Sequence, residues 1–242
     1  MVRKFVEFVF IKGRSMRSFG ETWRSTIFQK WVMAVTGILL VGFLVGHLSG
    51  NLLIFLGPDA INEYAVGLRE LLHGVAIWVM RAGILLAFVL HIRAGIILSA
   101  RNRAATASSY AKVERRSSTV ASRTMTYTGV LIAIYVLYHL AHFTWGTAHP
   151  DVYHFTDAAG RHDVYRMVIE SFKDPVLTAL YVVAMIITGL HLNHAISSAF
   201  QTLGINHPRY TPMIRMVGPA LGVALVLGFL SVPLAIMFGV VK

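Results

Sequence analysis

One histidine of this sequence lies in a stretch that has no charged residue. His47 belongs to TGILLVGFLVGHL at residues 36–48, and the 28 positions between Lys30 and Asp59 contain no Asp, Glu, Lys or Arg. An imidazole in such a stretch needs a partner, because an unpaired polar group is costly in hydrocarbon. Its ring nitrogens can form a hydrogen bond or bind a metal ion. A second group must therefore lie near His47.

An internal repeat indicates where this partner comes from. TGVLIAIYVLYHL at residues 128–140 has the pattern of residues 36–48, in which a Thr-Gly pair is followed by a histidine eleven residues after the threonine. A weaker similarity relates LHIRAGI at residues 90–96 to LHLNHAI at residues 190–196. In preference to His142 and His194, the repeat selects four histidines: His47, His91, His139 and His191.

The composition requires membrane-spanning elements to position these histidines. Of the 242 residues 56% are hydrophobic and only 14% are charged, whereas a soluble domain is about 25% charged. Five apolar segments are each long enough to cross the ~30 Å of hydrocarbon in a bilayer: residues 31–56, 74–99, 125–145, 175–203 and 216–240. The sequence predicts an all-α integral membrane protein whose first four transmembrane helices form a bundle, with a single domain over residues 31–242.

Lysine and arginine are distributed unequally between the two sides of these segments. Fifteen lie in residues 1–30 and in the loops 100–124 and 204–215, whereas five lie in the alternate loops and at the carboxyl terminus. Because cytoplasmic loops carry an excess of Lys and Arg, we expect residues 1–30 to be a basic cytoplasmic segment and Lys242 to lie outside. The net charge of +11 is thus explained without a nucleic-acid partner. The expected location is a bacterial cytoplasmic (inner) membrane, as a multi-pass protein.

In this orientation the four histidines form two layers. His47 and His139 each lie about 24–26 Å beyond the cytoplasmic charges that precede them, at ~1.5 Å per residue. His91 and His191 lie about 15–20 Å from the same side by the same count. Each layer draws its two histidines from two different helices.

Two imidazoles that face each other in a helical bundle can bind the iron of a haem from its two sides. The sequence therefore predicts two b-type haems, an outer one between His47 and His139 and an inner one between His91 and His191. The chain contains no cysteine, which excludes covalent c-type attachment, disulfides and iron–sulfur ligation by this chain.

Other interpretations of these residues stay open. A histidine in a membrane also serves as a hydrogen-bonded packing residue or as part of a proton path. The HxxH pairs at residues 139–142 and 191–194 would suit a haem-free transporter of metal ions, although the five segments contain no Asp or Glu. The glycines near the histidines allow either the approach of a flat macrocycle or helix–helix contact, as in the GxxxG of residues 42–46.

Five stretches occur in an order that is typical of one family: GHLSGNLLIFLGPDAINEYA (46–65), VLHIRAG (89–95), YHLAHFTW (138–145), HDVYRMVIESFKDP (162–175) and LHLNHAISSAFQTLG (190–204). Together they resemble the cytochrome b membrane anchor of succinate:menaquinone oxidoreductases (succinate dehydrogenases) and fumarate reductases, of the five-helix, di-haem type. The resemblance implies the same four haem ligands and the same two pairs.

The resemblance also implies a role in the electron transport of respiratory complex II and the tricarboxylic acid cycle. A flavoprotein subunit oxidises succinate with FAD, and an iron–sulfur subunit passes the electrons to this chain. Two haem b groups relay them to menaquinone, or in reverse for fumarate reduction. This chain is then a subunit of an enzyme without a dehydrogenase active site or catalytic residues of its own. A higher oligomer of the complex stays an open question, as does the direction of turnover.

This role suggests functions for several further residues. Quinone chemistry moves protons, so Glu63 and Tyr64 on the outer side are candidates for a quinone site, with a solvated loop as the alternative. The basic cytoplasmic face would dock the iron–sulfur subunit or attract anionic membrane lipid. Arg93 either extends to the cytoplasmic interface or contacts a haem propionate or a partner subunit. Alternative functions are the cytochrome b subunit of a hydrogenase or formate dehydrogenase, and a transporter.

Overall fold

The computed structural model describes residues 19–105, 120–205 and 207–242. In these ranges the chain is helical and forms no strand, as the sequence predicts. The helices, numbered along the chain, are α1 (Phe19–Arg24), α2 (Thr26–Leu52), α3 (Pro58–Glu70), α4 (Val75–Ala104), α5 (Val120–Phe143), α6 (Pro150–Tyr153), α7 (Val164–Phe172), α8 (Pro175–Thr202) and α9 (Thr211–Met237), with a short 3-10 helix at Leu53–Leu56 after α2.

Five of these helices are long and apolar enough to cross a membrane, which confirms the predicted number of spans. They are α2 with the 3-10 turn, α4, α5, α8 and α9, and they contain 31, 30, 20, 28 and 27 residues in the spanning part. The first begins at Thr26 rather than at the predicted residue 31. The reason is a cap: the Ser25 hydroxyl oxygen accepts a hydrogen bond from the backbone N–H of Phe28 at 3.1 Å.

The fifth span, α9, packs against both α8 and α2 and so belongs to the bundle that the sequence assigned to the first four helices. Small residues make this close packing possible. A Cβ added to Gly189 of α8 would lie 2.5 Å from Cγ2 of Val226, and one added to Gly228 of α9 would lie 2.6 Å from Cδ2 of Leu48. Glycine permits such approach between membrane helices.

One end of the bundle, which we term the capped end, is covered by α3, α6 and α7. Asn62 of α3 is fully buried there, and its side-chain amide donates to Asp163 at 3.1 Å and accepts from the backbone N–H of Tyr165 at 3.0 Å. The hydroxyl of Tyr165 donates to the carbonyl of Lys242 at 2.8 Å, so the last residue also lies at this end.

Asp174 and Pro175 start α8 at the capped end. The Asp174 carboxylate accepts hydrogen bonds from the backbone N–H groups of Val176 and Leu177, at 2.8 and 3.3 Å, and Pro175 occupies the first helical turn.

The opposite end, which we term the open end, fastens α1 to the bundle. Gln29 is 1% exposed, and its amide donates to the carbonyl of Trp23 at 2.6 Å. Arg93 donates to Oε1 of Gln29 at 3.4 Å and places its guanidinium 5.2 Å from the centre of the Trp23 ring. Arg93 therefore joins α4 to α1 and α2.

Much of the predicted basic face lies outside the described residues. This applies to residues 1–18 of the amino-terminal segment and to residues 106–119 of the loop between α4 and α5. Within the described part of that face, Arg101 donates to the carbonyl of Arg24 at 2.7 Å and to the hydroxyl of Thr26 at 3.2 Å.

Candidate functional site

Four helices bring the four selected histidines together in two pairs. The rings of His47 on α2 and His139 on α5 have their centres 5.8 Å apart with an angle of 83° between the planes. The rings of His91 on α4 and His191 on α8 are 6.4 Å apart with an angle of 68°. These are the pairs that the depth of each residue predicts.

The separation of the rings fits two imidazoles that share one iron. With a metal–nitrogen bond of about 2 Å on each side, and somewhat more than 1 Å from nitrogen to ring centre, the two centres would be about 6 Å apart. Both pairs lie close to this value, so the residues present suit the axial positions of a haem.

The ring of His91 is held by the first turns of α2. Its Nδ1 lies 3.2 Å from the carbonyl oxygen of Met33 and 3.2 Å from the hydroxyl of Thr36. A carbonyl can only accept, so Nδ1 carries the hydrogen and Nε2 carries the free electron pair. A Cβ added to Gly37 would lie 3.3 Å from Cε1 of His91, closer than most real contacts. The ring thus rests on the α2 backbone.

The ring of His191 is held in the same way by α5. Its Nδ1 lies 3.1 Å from the hydroxyl of Thr128, and a Cβ added to Gly129 would lie 3.5 Å from Cε1. The Thr128 hydroxyl donates its hydrogen to a carbonyl of its own helix, that of Thr124 or Met125, each at 3.1 Å. Its oxygen is then available to accept from Nδ1–H, which leaves Nε2 free.

The other pair lies among aromatic rings. His47 stacks on Phe43 at 5.4 Å with an angle of 12°, and Phe229 of α9 lies 5.8 Å away. His139 contacts Tyr135 at 5.8 Å and Tyr181 at 6.0 Å, measured between ring centres. Such rings exclude water and provide apolar surface for a macrocycle.

His142 is fully buried and has both ring nitrogens in hydrogen bonds. Its Nε2 lies 3.0 Å from the hydroxyl of Ser171, which donates to the carbonyl of Met167 at 2.7 Å and therefore accepts from His142. Its Nδ1, 2.9 Å from the Tyr181 hydroxyl, is then the acceptor. The Tyr181 oxygen lies 3.5 Å from Nδ1 of His139. His142 is thus a satisfied core histidine one turn from His139.

The two candidates for a quinone site occupy the capped end. Glu63 is 71% exposed and lies 3.5 Å from the guanidinium of Arg161, so its carboxylate is in a surface ion pair. The ring of Tyr64 packs on α2, where a Cβ added to Gly50 would lie 2.6 Å from Cε1. Both residues lie on α3 rather than in the loop considered from the sequence, and Glu63 is an exposed carboxylate on this helix.

Arg161 organises the acidic residues around Glu63. It donates to Asp59 at 2.8 Å and to Asp157 at 2.6 Å. Its hydrogen bonds to Asp59 and then to Asp157 raise the pKa of Arg161. Partial burial acts to raise the pKa of Asp157, but hydrogen bonds from the backbone and side chain of Arg161 outweigh it, so that pKa lies below its ordinary value.

The glycines of the GxxxG at residues 42–46 do not pack against another helix of the described chain. A Cβ added to Gly42 or Gly46 would meet no described atom within 4 Å. Among the described residues, groups of three or more His, Asp or Glu that could hold a metal ion are absent.

No family model, curated protein or solved structure matches this chain. Its function is therefore inferred from the sequence and from the geometry of the two histidine pairs.

Sequence reasoning missed several residues that contact the paired histidines. Phe229 and Tyr181 reach them from α9 and α8, and no local pattern marks either residue. The threonines Thr36 and Thr128 were visible in the repeat, where they served only to align its two copies. Their distance from the histidines of the next spanning helix, 55 and 63 residues along the chain, hides the contact in the sequence.

Proposed function

We propose that this chain is a di-haem cytochrome b, the membrane-anchor subunit of a succinate:quinone oxidoreductase. The observation that carries the haem assignment is the ring spacing in two separate histidine pairs, 5.8 and 6.4 Å, which suits one iron between each pair. Hydrogen bonds at Nδ1 of His91 and His191 support it further, because they hold the hydrogen on Nδ1 and leave Nε2 free to bind a metal.

In this role the chain's own residues would bind and orient the haems and exclude water from them. A bound haem b supplies a one-electron carrier that the apolar helices lack. His47 and His139 would hold the iron of one haem, and His91 and His191 would hold that of the other. Phe43 and Phe229 exclude water around His47.

The position in the respiratory chain follows from the resemblance and from the charges. The open end, with its basic residues, would face the cytoplasm and dock the iron–sulfur subunit, whose flavoprotein partner oxidises succinate with FAD. His91 and His191 would hold the haem nearer the open end, and His47 and His139 the haem nearer the capped end. Haems held at these two places would supply one-electron carriers between the iron–sulfur subunit and menaquinone at the capped end. The membrane is then a bacterial cytoplasmic membrane.

Glu63 and Tyr64 are proposed to lie near the quinone. Quinone chemistry moves protons and needs an acid or a phenol nearby, and the Glu63 carboxylate is exposed at the capped end. Its ion pair with Arg161 is a surface contact and leaves the second carboxylate oxygen for another partner.

The test is a reduced-minus-oxidised spectrum of the purified chain and of four alanine variants. Two b haems are expected in the wild type. His47→Ala and His139→Ala should damage the same haem, whereas His91→Ala and His191→Ala should damage the other. A wild type without a sharp α-band would contradict the haem assignment and favour a transporter.

His194→Ala is the matched control, since it removes an imidazole from α8 one turn after His191. Both haems should stay bound in this variant. If His47→Ala instead gave the same residual spectrum as His91→Ala, the pairing would be wrong. Succinate-dependent reduction of a menaquinone analogue by the intact complex separates this function from that of a hydrogenase or formate dehydrogenase subunit.

A further inference from the structure

We propose that Thr36 and Thr128 are positioning residues for the His91–His191 pair. Each hydroxyl keeps the hydrogen of its histidine on Nδ1, so that Nε2 is the nitrogen directed at the iron. This inference rests on the proposed function, since it concerns a haem between these two rings. It assigns a role to the Thr-Gly pair of the repeat beyond its use in alignment.

The direction of each hydrogen bond follows from the carbonyl that the threonine already engages. The Thr36 hydroxyl lies 2.6 Å from the carbonyl oxygen of Val32, which can only accept, so it donates there. Its oxygen therefore accepts from His91. Thr128 donates to a carbonyl of α5 and accepts from His191 in the same way.

The two histidines differ in how many acceptors they have. Nδ1–H of His91 lies near both Thr36 and the carbonyl of Met33, at 3.2 Å each. For His191, Thr128 is the single hydrogen-bond acceptor of Nδ1–H among the described residues. Loss of the Thr128 hydroxyl therefore leaves its histidine without an acceptor, whereas loss of the Thr36 hydroxyl does not.

The glycine that follows each threonine completes the arrangement. Gly37 and Gly129 lie against the same two rings. A Cβ added to Gly37 would lie 3.3 Å from Cε1 of His91, and one added to Gly129 would lie 3.5 Å from Cε1 of His191. The threonine holds the ring by Nδ1 and the glycine lets it approach the helix. By contrast, the His47–His139 pair has no threonine at either ring among the described residues, and Tyr181 lies 3.5 Å from Nδ1 of His139.

A hydrogen bond at Nδ1 raises the basicity of a ligating imidazole. A more basic ligand stabilises ferric over ferrous iron, so removal of the bond raises the midpoint potential of the haem. Thr128→Val should therefore raise the potential of one haem and leave the other unchanged. Thr36→Val should raise the potential of that same haem by a smaller amount, because the Met33 carbonyl still accepts from His91.

The experiment is a potentiometric titration of both haems in the full-length chain, followed optically and by electron paramagnetic resonance. Thr188→Val is the matched control. The Thr188 hydroxyl donates to the carbonyl of Ala184 at 2.8 Å within α8 and forms no hydrogen bond with a histidine of the described residues. Both potentials should be unchanged in this variant, and Thr128→Ser, which keeps a hydroxyl, should restore the wild-type potential.

Loss of one haem from Thr128→Val, with retention in Thr128→Ser and Thr188→Val, would also support the proposal. Unchanged potentials in Thr128→Val, or an equal shift in Thr188→Val, would overturn it while the di-haem assignment stands. A wild type that binds no haem would overturn both.

Discussion

Replacement of His142 by alanine tests whether the sequence and the geometry select the correct histidine of α5. His142 lies three residues after His139 and is fully buried. Its two ring nitrogens are bonded to Tyr181 and Ser171, at 2.9 and 3.0 Å. We expect His142→Ala to destabilise the protein and to keep both haems.

The size of the destabilisation follows from what is removed. A hydrogen bond between membrane helices is worth about 0.6 kcal/mol on average and at most about 1.7 kcal/mol. Truncation of a large buried side chain to alanine costs about 2–5 kcal/mol. The cavity therefore dominates, and His142→Ala should lose about 3–5 kcal/mol of unfolding free energy. Tyr181→Phe keeps the ring and should lose only the hydrogen-bond part, about 1 kcal/mol.

The assay is unfolding of the purified chain by SDS in mixed micelles, with the haem content per protein measured on the same samples. A double-mutant cycle of His142→Ala and Tyr181→Phe should give a coupling energy of about 0.6–1.7 kcal/mol. His139→Ala is the comparison variant and should lose the haem that it shares with His47. If His142→Ala lost this haem and His139→Ala kept it, the selection of His139 would be refuted.

Three further predictions concern the capped end. A reporter fused after Lys242 should be active outside the cytoplasmic membrane, since Tyr165 binds the carbonyl of Lys242 at this end; cytoplasmic activity would contradict the proposed orientation. Glu63→Gln should slow quinone turnover with both haems retained. An unchanged rate would mean that Glu63 takes no part in quinone chemistry and only forms its surface ion pair with Arg161. Because the pKa of Asp157 is lowered on folding, its contribution to stability is present above the unfolded pKa and is lost as pH falls through the folded pKa. Asp157→Asn should remove this part of the acid dependence of unfolding, and an identical pH profile in the variant would count against it.

The spans and the histidine pairs could be predicted because both depend on short-range patterns. A window of apolar residues is enough to indicate a spanning helix, and the position of His47 within such a window gives its depth. The contacts of Gly37 with His91 and of Gly129 with His191 could not be predicted from such patterns. They require the packing of α2 on α4 and of α5 on α8, which hydropathy does not specify.

Arg93 and Phe229 illustrate the same limit. The sequence places Arg93 near the end of a span but cannot indicate that Trp23 and Gln29 are its partners, since these precede it by 70 and 64 residues and lie on two other helices. Phe229 is one apolar residue among many in α9. Its contact with His47 exists because Gly189 and Gly228 let α9 approach α8 and α2 closely.

Because α9 is the last helix of the bundle to be synthesised, the contacts of the two histidine pairs differ in whether they require it. The hydrogen-bond partners of His91 and His191 all lie in α2 and α5, so these hydrogen bonds can form once α8 has entered the membrane. The surroundings of His47 include Phe229 and are finished only after α9 has been inserted. A nascent chain that stops before α9 thus already contains the hydrogen-bond partners of the His91–His191 pair, whereas it lacks one of the aromatic rings beside His47.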